Sequence, residues 1–317
     1  MLNSNMSLND LLKGCPFPLF QFEDIEYVSE LGSGANGVVY KAMVNNTNYA
    51  VKEYNLYDWG DESKFFNSIL YELKVLKKID KLKYSVNTYG LSYKVYDENI
   101  QVLIIMELLV SVGDLFDYTQ KDHFWKLFNN EKDEKFVTFY PDEHNQKFIY
   151  IMNVHIKKKI TIMLIEALIE LHLQNIIHAD IKSANIIYSL TNETKRIKLV
   201  DFGASYFSSK ETIDIECTSG TMGYTAPEQY RHKLNKKSDV YSLTATIIEL
   251  WNGEIWGNGN TYEDCRNELQ RGLRVIQNIY PNFGNVLSSG INELSVKRPT
   301  ALKLLHNVKK AFKHDHI

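Results

Sequence analysis

The pattern of apolar and polar positions changes period along the chain, and each change predicts a different element. From Ile25 to Tyr54 short runs alternate (IEYVSEL, GVVYKAMV, NYAVKEY) and are rich in Val, Tyr and Ile, which predicts strands. A glycine-rich turn joins the first two runs. Asn45-Asn46-Thr47-Asn48 joins the second and third, with the composition of a hairpin turn. Over 62–79 the period becomes helical, with Phe65, Phe66, Ile69, Leu73, Leu76 and Ile79 in one stripe. Strand signals return near 84–96 and at 101–106 (QVLIIM). Beyond about residue 113 the chain is mostly helical, most clearly over 155–173, where Ile156, Ile160, Met163, Leu164, Ala167, Leu168 and Leu171 share a face. Short strands follow near 186–188 and 197–200, then an irregular stretch and more helices. A β-rich front and a helix-rich back predict an α+β fold in two lobes meeting near residue 108. Residues 1–20 read as a polar tail ending in the turn Cys15-Pro16-Phe17-Pro18, and 120–150 as a polar surface insertion.

Composition narrows the partners. With 317 residues the chain can form one large domain or two smaller ones. A net charge of −3 gives no bulk case for nucleic acid or an anionic membrane. Cys15, Cys217 and Cys265 are far apart and odd in number, so no disulfide framework or zinc spacing follows, and a reducing compartment is expected. The start lacks the basic and apolar regions of a signal peptide, and no run of about 20 uncharged apolar residues could span a bilayer. The expected location is intracellular, in the cytoplasm. The richness in Asn, Lys, Ile and Tyr suggests an AT-rich genome, such as that of a protist, a giant virus or an intracellular bacterium, which would extend the location to a host cytoplasm or a virion.

Several short stretches carry candidate chemistry. Gly32, Gly34 and Gly37 give G-x-G-x-x-G, a weak pattern by itself. Val38-Val39-Tyr40 continues as a strand, which excludes a dinucleotide fingerprint, and no Gly-Lys-Ser/Thr follows, which excludes an NTPase phosphate loop. A glycine loop between antiparallel strands can still lie over phosphates, because no Cβ atoms block its backbone. In YAVKEY strand alternation puts Ala50, Lys52 and Tyr54 on one face. Lys52 is then either an edge-strand solubility device or a functional cation. Glu72 falls inside the apolar stripe of the 62–79 helix; it is either solvated at the margin or paired, and Lys52 is the economical partner. In IIHADIKSANIIY, Asp180 can accept a proton, Lys182 can steady a phosphate and Asn185 can ligate a hard cation. Asp201-Phe202-Gly203 follows a strand and, alone, reads as a turn.

In order, Gly32-x-Gly34-x-x-Gly37-x-Val39, Ala50-Val51-Lys52, Glu72, His178-x-Asp180-x-Lys182-x-x-Asn185, Asp201-Phe202-Gly203 and Ala226-Pro227-Glu228 resemble the eukaryotic-type protein kinase family. Ser238-Asp239-Val240-Tyr241-Ser242-Leu243 and Lys297-Arg298-Pro299-Thr300 resemble two further family segments, so the likeness runs from about residue 25 to 312. The resemblance implies a bilobal kinase-like fold, with a β-rich N-lobe (about 25–108), a helical C-lobe (about 109–312) and an ATP cleft between them. Residues 1–20 would be an extension to a kinase domain spanning 21–317.

The resemblance also implies residue roles. Leu31, Val39, Ala50 and Ile187 would sandwich adenine, Glu107 and Leu109 would offer hinge backbone groups, and Met106 would limit the pocket behind the base. Lys52, paired with Glu72, would hold the α- and β-phosphates beneath the loop of Gly32, Gly34 and Gly37. Asn185 and Asp201 would hold Mg²⁺. Asp180 would take the proton of the substrate hydroxyl and Lys182 would stabilise the transferring group. Lys182, and Thr221 in the loop before Ala226-Pro227-Glu228, fit the serine/threonine class, with a protein Ser/Thr hydroxyl as acceptor. Glu228 and Arg298 would form a buried ion pair. Asp239 would bond backbone N–H groups of the catalytic loop or cap a helix. His178, Phe202, Leu76 and Tyr89 would form an apolar spine, and Lys157-Lys158-Lys159 would be a solvated helix face.

The sequence departs from the family at Ala179, where most members have Arg. That Arg pairs with a phosphate on the activation segment, so none of Ser205, Ser208, Ser209, Thr212, Thr218 and Ser219 would be read in the usual way, and activity would not depend on that switch. Thr244 replaces an expected Gly and Ser183 a frequent Pro. The leading expectation is an ATP-dependent serine/threonine protein kinase; the alternative is a nucleotide-binding pseudokinase or scaffold, against which all of Lys52, Asp180, Asn185 and Asp201 are present. A small-molecule kinase is disfavoured by the segment from Gly220 to Glu228.

Overall fold

The computed structural model describes residues 6–34, 37–97, 99–109, 111–114, 137–141, 148–152, 154–191, 194–216, 218–252 and 261–317. The chain divides into two compact units, 1–110 with 201–205 and 111–200 with 206–317. The fold is α+β, with a β-rich first unit and a helix-rich second.

The first unit contains α1 (Leu8–Gly14), β1 (Ile25–Gly34), β2 (Gly37–Val44), β3 (Thr47–Asn55), α2 (Glu62–Ile79), β4 (Thr88–Val95) and β5 (Ile100–Glu107). The strands form one antiparallel sheet in the order β1-β2-β3-β5-β4. Asn45 and Asn46 turn the β2–β3 hairpin with φ of 48° and 61°, the left-handed pair that a tight hairpin needs. The resulting register sets Lys52 opposite Val39 on one side and Ile104 on the other. Asp61 caps α2 by accepting from the Lys64 amide at 2.9 Å. The whole predicted stripe of α2 is buried, and Glu72 is buried with it.

Residues 6–20 are not a polar tail. Ser7 and Asp10 form a capping box on α1, Leu11 is fully buried, and Met6 and Phe17 are buried. The segment runs along α2: Ser63 donates to the Met6 carbonyl, Leu70 fills the space above Gly14, and the Lys77 ammonium lies 5.0 Å from the Phe17 ring centroid. Those three α2 positions repeat every seven residues, so they lie on one face of the helix. Farther on, Phe20 donates to the Leu91 carbonyl at 2.8 Å and Leu91 to the Pro18 carbonyl at 3.0 Å, which ties the segment to β4. Gly90 is required there, because a Cβ would strike the Phe20 ring.

The second unit opens with β6 (Ser111–Asp114), β7 (Val137–Pro141), β8 (Phe148–Met152) and α3 (Val154–Leu173). β7 and β8 pair as a hairpin, so part of the insertion expected over 120–150 is strand; the rest of it lies outside the described residues. Then come β9 (Ile176–Ile177), β10 (Ile186–Thr191), β11 (Thr194–Leu199), β12 (Tyr206–Phe207), β13 (Ile213–Asp214) and β14 (Lys233–Leu234). The helices α4 (Lys236–Asn252), α5 (Tyr262–Ile279), α6 (Pro281–Gly290) and α7 (Ala301–His314) complete it. Every residue of α4 from Ser238 to Trp251 is buried, which makes it the central helix of this unit. Thr244 fits there because α6 presents Gly290 to it; a Cβ on Gly290 would collide with the Thr244 hydroxyl.

The lysine run on α3 is not a solvated face. Lys157 is buried and donates to the Trp251 carbonyl at 2.9 Å, and Lys158 donates to the Ile317 carbonyl at 2.6 Å; only Lys159 is exposed. Burial alone lowers the Lys157 ammonium to about 8. Tyr89, expected in an apolar spine, is 44% exposed and stacks edge-on with Tyr49, whereas Leu76, His178 and Phe202 are buried.

Candidate active site

In the first unit, β3 and α2 bring a cation and a carboxylate together out of water. The Lys52 ammonium lies 3.0 Å from Glu72 Oε1 and 2.8 Å from Asp201 Oδ1. Burial works against the charge on Lys52, but Glu72 and Asp201 outweigh it and hold the ammonium well above its usual value. The second oxygen of Glu72 is taken by the hydroxyl of Tyr54, also buried. Asp201 has φ of 58°, a left-handed conformation that non-glycine residues adopt at a cost. Gly32 pairs with Val39 and Gly34 with Gly37 across the β1–β2 ladder. Gly37 has φ of 135°, and a Cβ there would strike the Glu53 carbonyl, so glycine is obligatory. Leu31 is exposed on β1; Ala50 and Met106 face each other across β3 and β5, both nearly buried. Leu109 is buried, and the Glu107 amide donates to the Asn87 carbonyl at 2.9 Å.

In the second unit, the loop between β9 and β10 gathers the other polar candidates. Thr221 donates to Asp180 Oδ1 at 2.8 Å, and Lys182 donates to the Thr221 hydroxyl at 2.7 Å while lying 3.0 Å from Asp180 Oδ2. Asn185 gives its amide hydrogens to the Asp180 carbonyl and to Oδ2, at 2.9 and 3.2 Å. Its carbonyl oxygen is therefore the atom left to meet a ligand. Ile187 follows on β10, two residues along. A base, a cation and a hydroxyl in mutual reach form an arrangement able to accept and place an alcohol proton.

The protein kinase domain profile matches residues 25–310. The chain belongs to the protein kinase family. Calcium-dependent protein kinase 5 of Plasmodium berghei is 26% identical over 88% of this chain and 45% of its own length. Wall-associated receptor kinase 4 of Arabidopsis thaliana is 31% identical over 71% of this chain and 26% of its own. Serine/threonine-protein kinase pakH of Dictyostelium discoideum is 30% identical over 72% and 37%. The chain thus spans less than half the length of these curated relatives.

In the kinase domain, α4 holds the backbone of the loop between β9 and β10. Asp239 on α4 accepts the amides of His178 and Ala179, both at 2.9 Å, and His172 Nε2 lies 3.1 Å away. It lies inside the helix, so helix capping is not its role; the Asn235 side chain accepts the Lys237 amide instead. Arg298, buried, and Glu228, partly buried, form the expected ion pair, bidentate at 2.7 and 2.8 Å, and Ser238 adds a third bond to Glu228.

Three further contacts were not legible in the motifs. Gln229 donates to the Ala179 carbonyl at 3.2 Å and to the Ser219 carbonyl at 2.9 Å, stapling the β9–β10 loop to the stretch that follows β13. Ser183 donates to buried Glu249 at 3.1 Å, and Glu249 also accepts from Tyr224 at 2.9 Å. Tyr54 shares a strand face with Lys52, which was a signal, but a buried phenol at that position reads equally well as core. Cys217 lies outside the described residues.

Ala179 has an apolar setting. Its side chain clusters with Ile177, Ile215 and Leu234, with Tyr206 and Ile213 packed around them. The short ladders β12–β9 and β13–β14 tie residues 206–214 to the strands that carry Ile177 and Leu234. Ser205 and Ser208 are buried, whereas Ser209, Thr212 and Thr218 are exposed.

Proposed function

We propose that this kinase domain transfers the γ-phosphoryl group of ATP to a serine or threonine hydroxyl of a protein. The observation that carries the reading is the mutual bonding of Asp180, Lys182 and Thr221 around one hydroxyl. In the reaction the acceptor hydroxyl oxygen forms a bond to the γ-phosphorus, the bridging bond to ADP breaks, and Asp180 takes the hydroxyl proton. Lys182 offsets charge on the transferring group, and Lys52, fixed by Glu72, holds the α- and β-phosphates. Thr221 beside the base fits a β-hydroxyl acceptor, and the serine/threonine kinase from Dictyostelium supports the same class.

Asp201 and Asn185 would hold Mg²⁺. They suit it: a carboxylate and an amide whose nitrogen is already committed are hard oxygen donors. The ion, when bound, neutralises phosphate charge. This chain's own residues do the rest, orienting the acceptor and removing its proton. The Lys52–Asp201 contact would be exchanged when nucleotide enters, since both partners are then needed by phosphate and metal.

We read Ala179 as the position of the Arg that other members of the family use to sense an activation-segment phosphate. Its apolar setting supports an activity that does not wait for such a phosphate. Incubation with Mg-ATP and a generic protein substrate tests the central reading. Phosphate incorporation should appear with the native chain and fall at least a hundredfold in Asp180→Asn and Asp201→Ala. Equal incorporation in all three would defeat it.

A further inference from the structure

The pairing of the kinase lysine with the glutamate of α2 has a third member in this chain. Tyr54 stands two residues beyond Lys52 on β3, on the same face. It is 2% exposed. Its hydroxyl donates to Glu72 Oε2 while Lys52 takes Oε1, so the whole carboxylate fork is held by one strand. The Lys52 ammonium also lies 5.1 Å from the Tyr54 ring centroid, within cation–π range. The ring also lies in van der Waals reach of the space a Cβ on Gly37 would occupy.

This geometry bears on what happens when nucleotide arrives. Lys52 divides its donors between Glu72 and Asp201, and phosphate must compete for them. A helix tied to a strand by one ion pair can pivot about that pair, and loses its tie when the cation turns to a ligand. Tyr54 is neutral and does not compete for phosphate. Two donors on alternate residues of β3, roughly 7 Å apart along the strand, fix both the position and the plane of the carboxylate. Burial and the Glu72 charge both raise the phenol above its usual value, so it stays a donor across the working pH range.

We infer that Tyr54 is a positioning residue, a second donor on β3 that keeps Glu72 in place while Lys52 engages nucleotide phosphates. The inference rests on the phosphotransfer reading for its catalytic consequence, but its structural half can be read separately.

Tyr54→Phe removes one oxygen and keeps the ring. Assayed well below its melting temperature, the variant should lose about tenfold in kcat/KM for ATP, with KM for the protein substrate unchanged. In a Glu72→Ala background the same substitution should cost less than twofold, since the acceptor is gone. Hydrogen exchange on the unliganded protein should show faster exchange over residues 69–76 of α2 with β4 and β5 unchanged. A lower melting temperature with kcat/KM for ATP unchanged would make Tyr54 a packing residue and overturn the inference. Equal losses from Tyr54→Phe in both backgrounds would overturn it too. If the native chain transfers no phosphate yet α2 loosens in the variant, the phosphotransfer reading fails while the anchoring of Glu72 stands.

Discussion

Ala179 is small because of what surrounds it. Its φ of 67° is left-handed, and the backbone is kept there by Asp239 on the amide and Gln229 on the carbonyl. Its methyl group packs with Ile177, Ile215 and Leu234. An arginine here would bring a long cation into an apolar cluster with no carboxylate among its members. We expect Ala179→Arg to lower stability by roughly 1–3 kcal/mol, read from denaturant midpoints. Ser209→Ala and Thr212→Ala, both at exposed positions, should leave phosphate incorporation within twofold. A loss above tenfold, restored by acidic replacements, would sink the idea of a phosphate-independent segment. The sequence displays Ala179 as an oddity. It cannot display the cluster, because Ile215 and Leu234 are distant in the chain and carry no motif.

Among elements, the pattern concealed α1. Its 7 residues make two turns, too few for an apolar stripe to rise above its polar neighbours. Only contact with α2 shows that Met6, Leu11 and Phe17 form one docking edge. That contact runs along the helix that carries Glu72, so α2 is braced from outside by the N-terminal segment. Leu11→Ala should cost roughly 2–5 kcal/mol and raise hydrogen exchange in both α1 and α2. A cost below about 0.5 kcal/mol, typical of exposed sites, would show that the segment is not part of the packed unit. The longer elements were legible for the opposite reason. Over 18 residues, α2 repeats its apolar stripe often enough to be unambiguous, and the β2–β3 hairpin is announced by its asparagines.

For the molecule as a whole, buried charge makes stability depend on pH. Lys157 has a folded value of about 8 against an ordinary 10.5. Below pH 8 it is charged in both states and the folded protein carries the full cost of burying it. As pH rises from 8 to 10.5 the folded state sheds its proton first, so stability rises across that window. Replacing Lys157 with Met removes this slope. The difference in melting temperature between native protein and Lys157→Met should therefore shift in favour of the native protein between pH 7.5 and 10. Parallel curves would show that Lys157 reaches solvent. Among the described residues no helix is long and apolar enough to cross a membrane.

The sequence by itself determined the class of elements, the order of the kinase motifs and the groups we propose for phosphoryl transfer. Those depend on local periodicity and on short spacings, which a chain carries wherever it is folded. Tertiary structure decided which groups meet. It gave Glu72 a second donor, turned two of three lysines inward, put a glycine opposite Thr244 and enclosed Ala179 in hydrocarbon. Each of these is a contact between residues far apart in sequence. Packing density and the cost of an unpaired buried charge select them, and neither leaves a period or a motif to read.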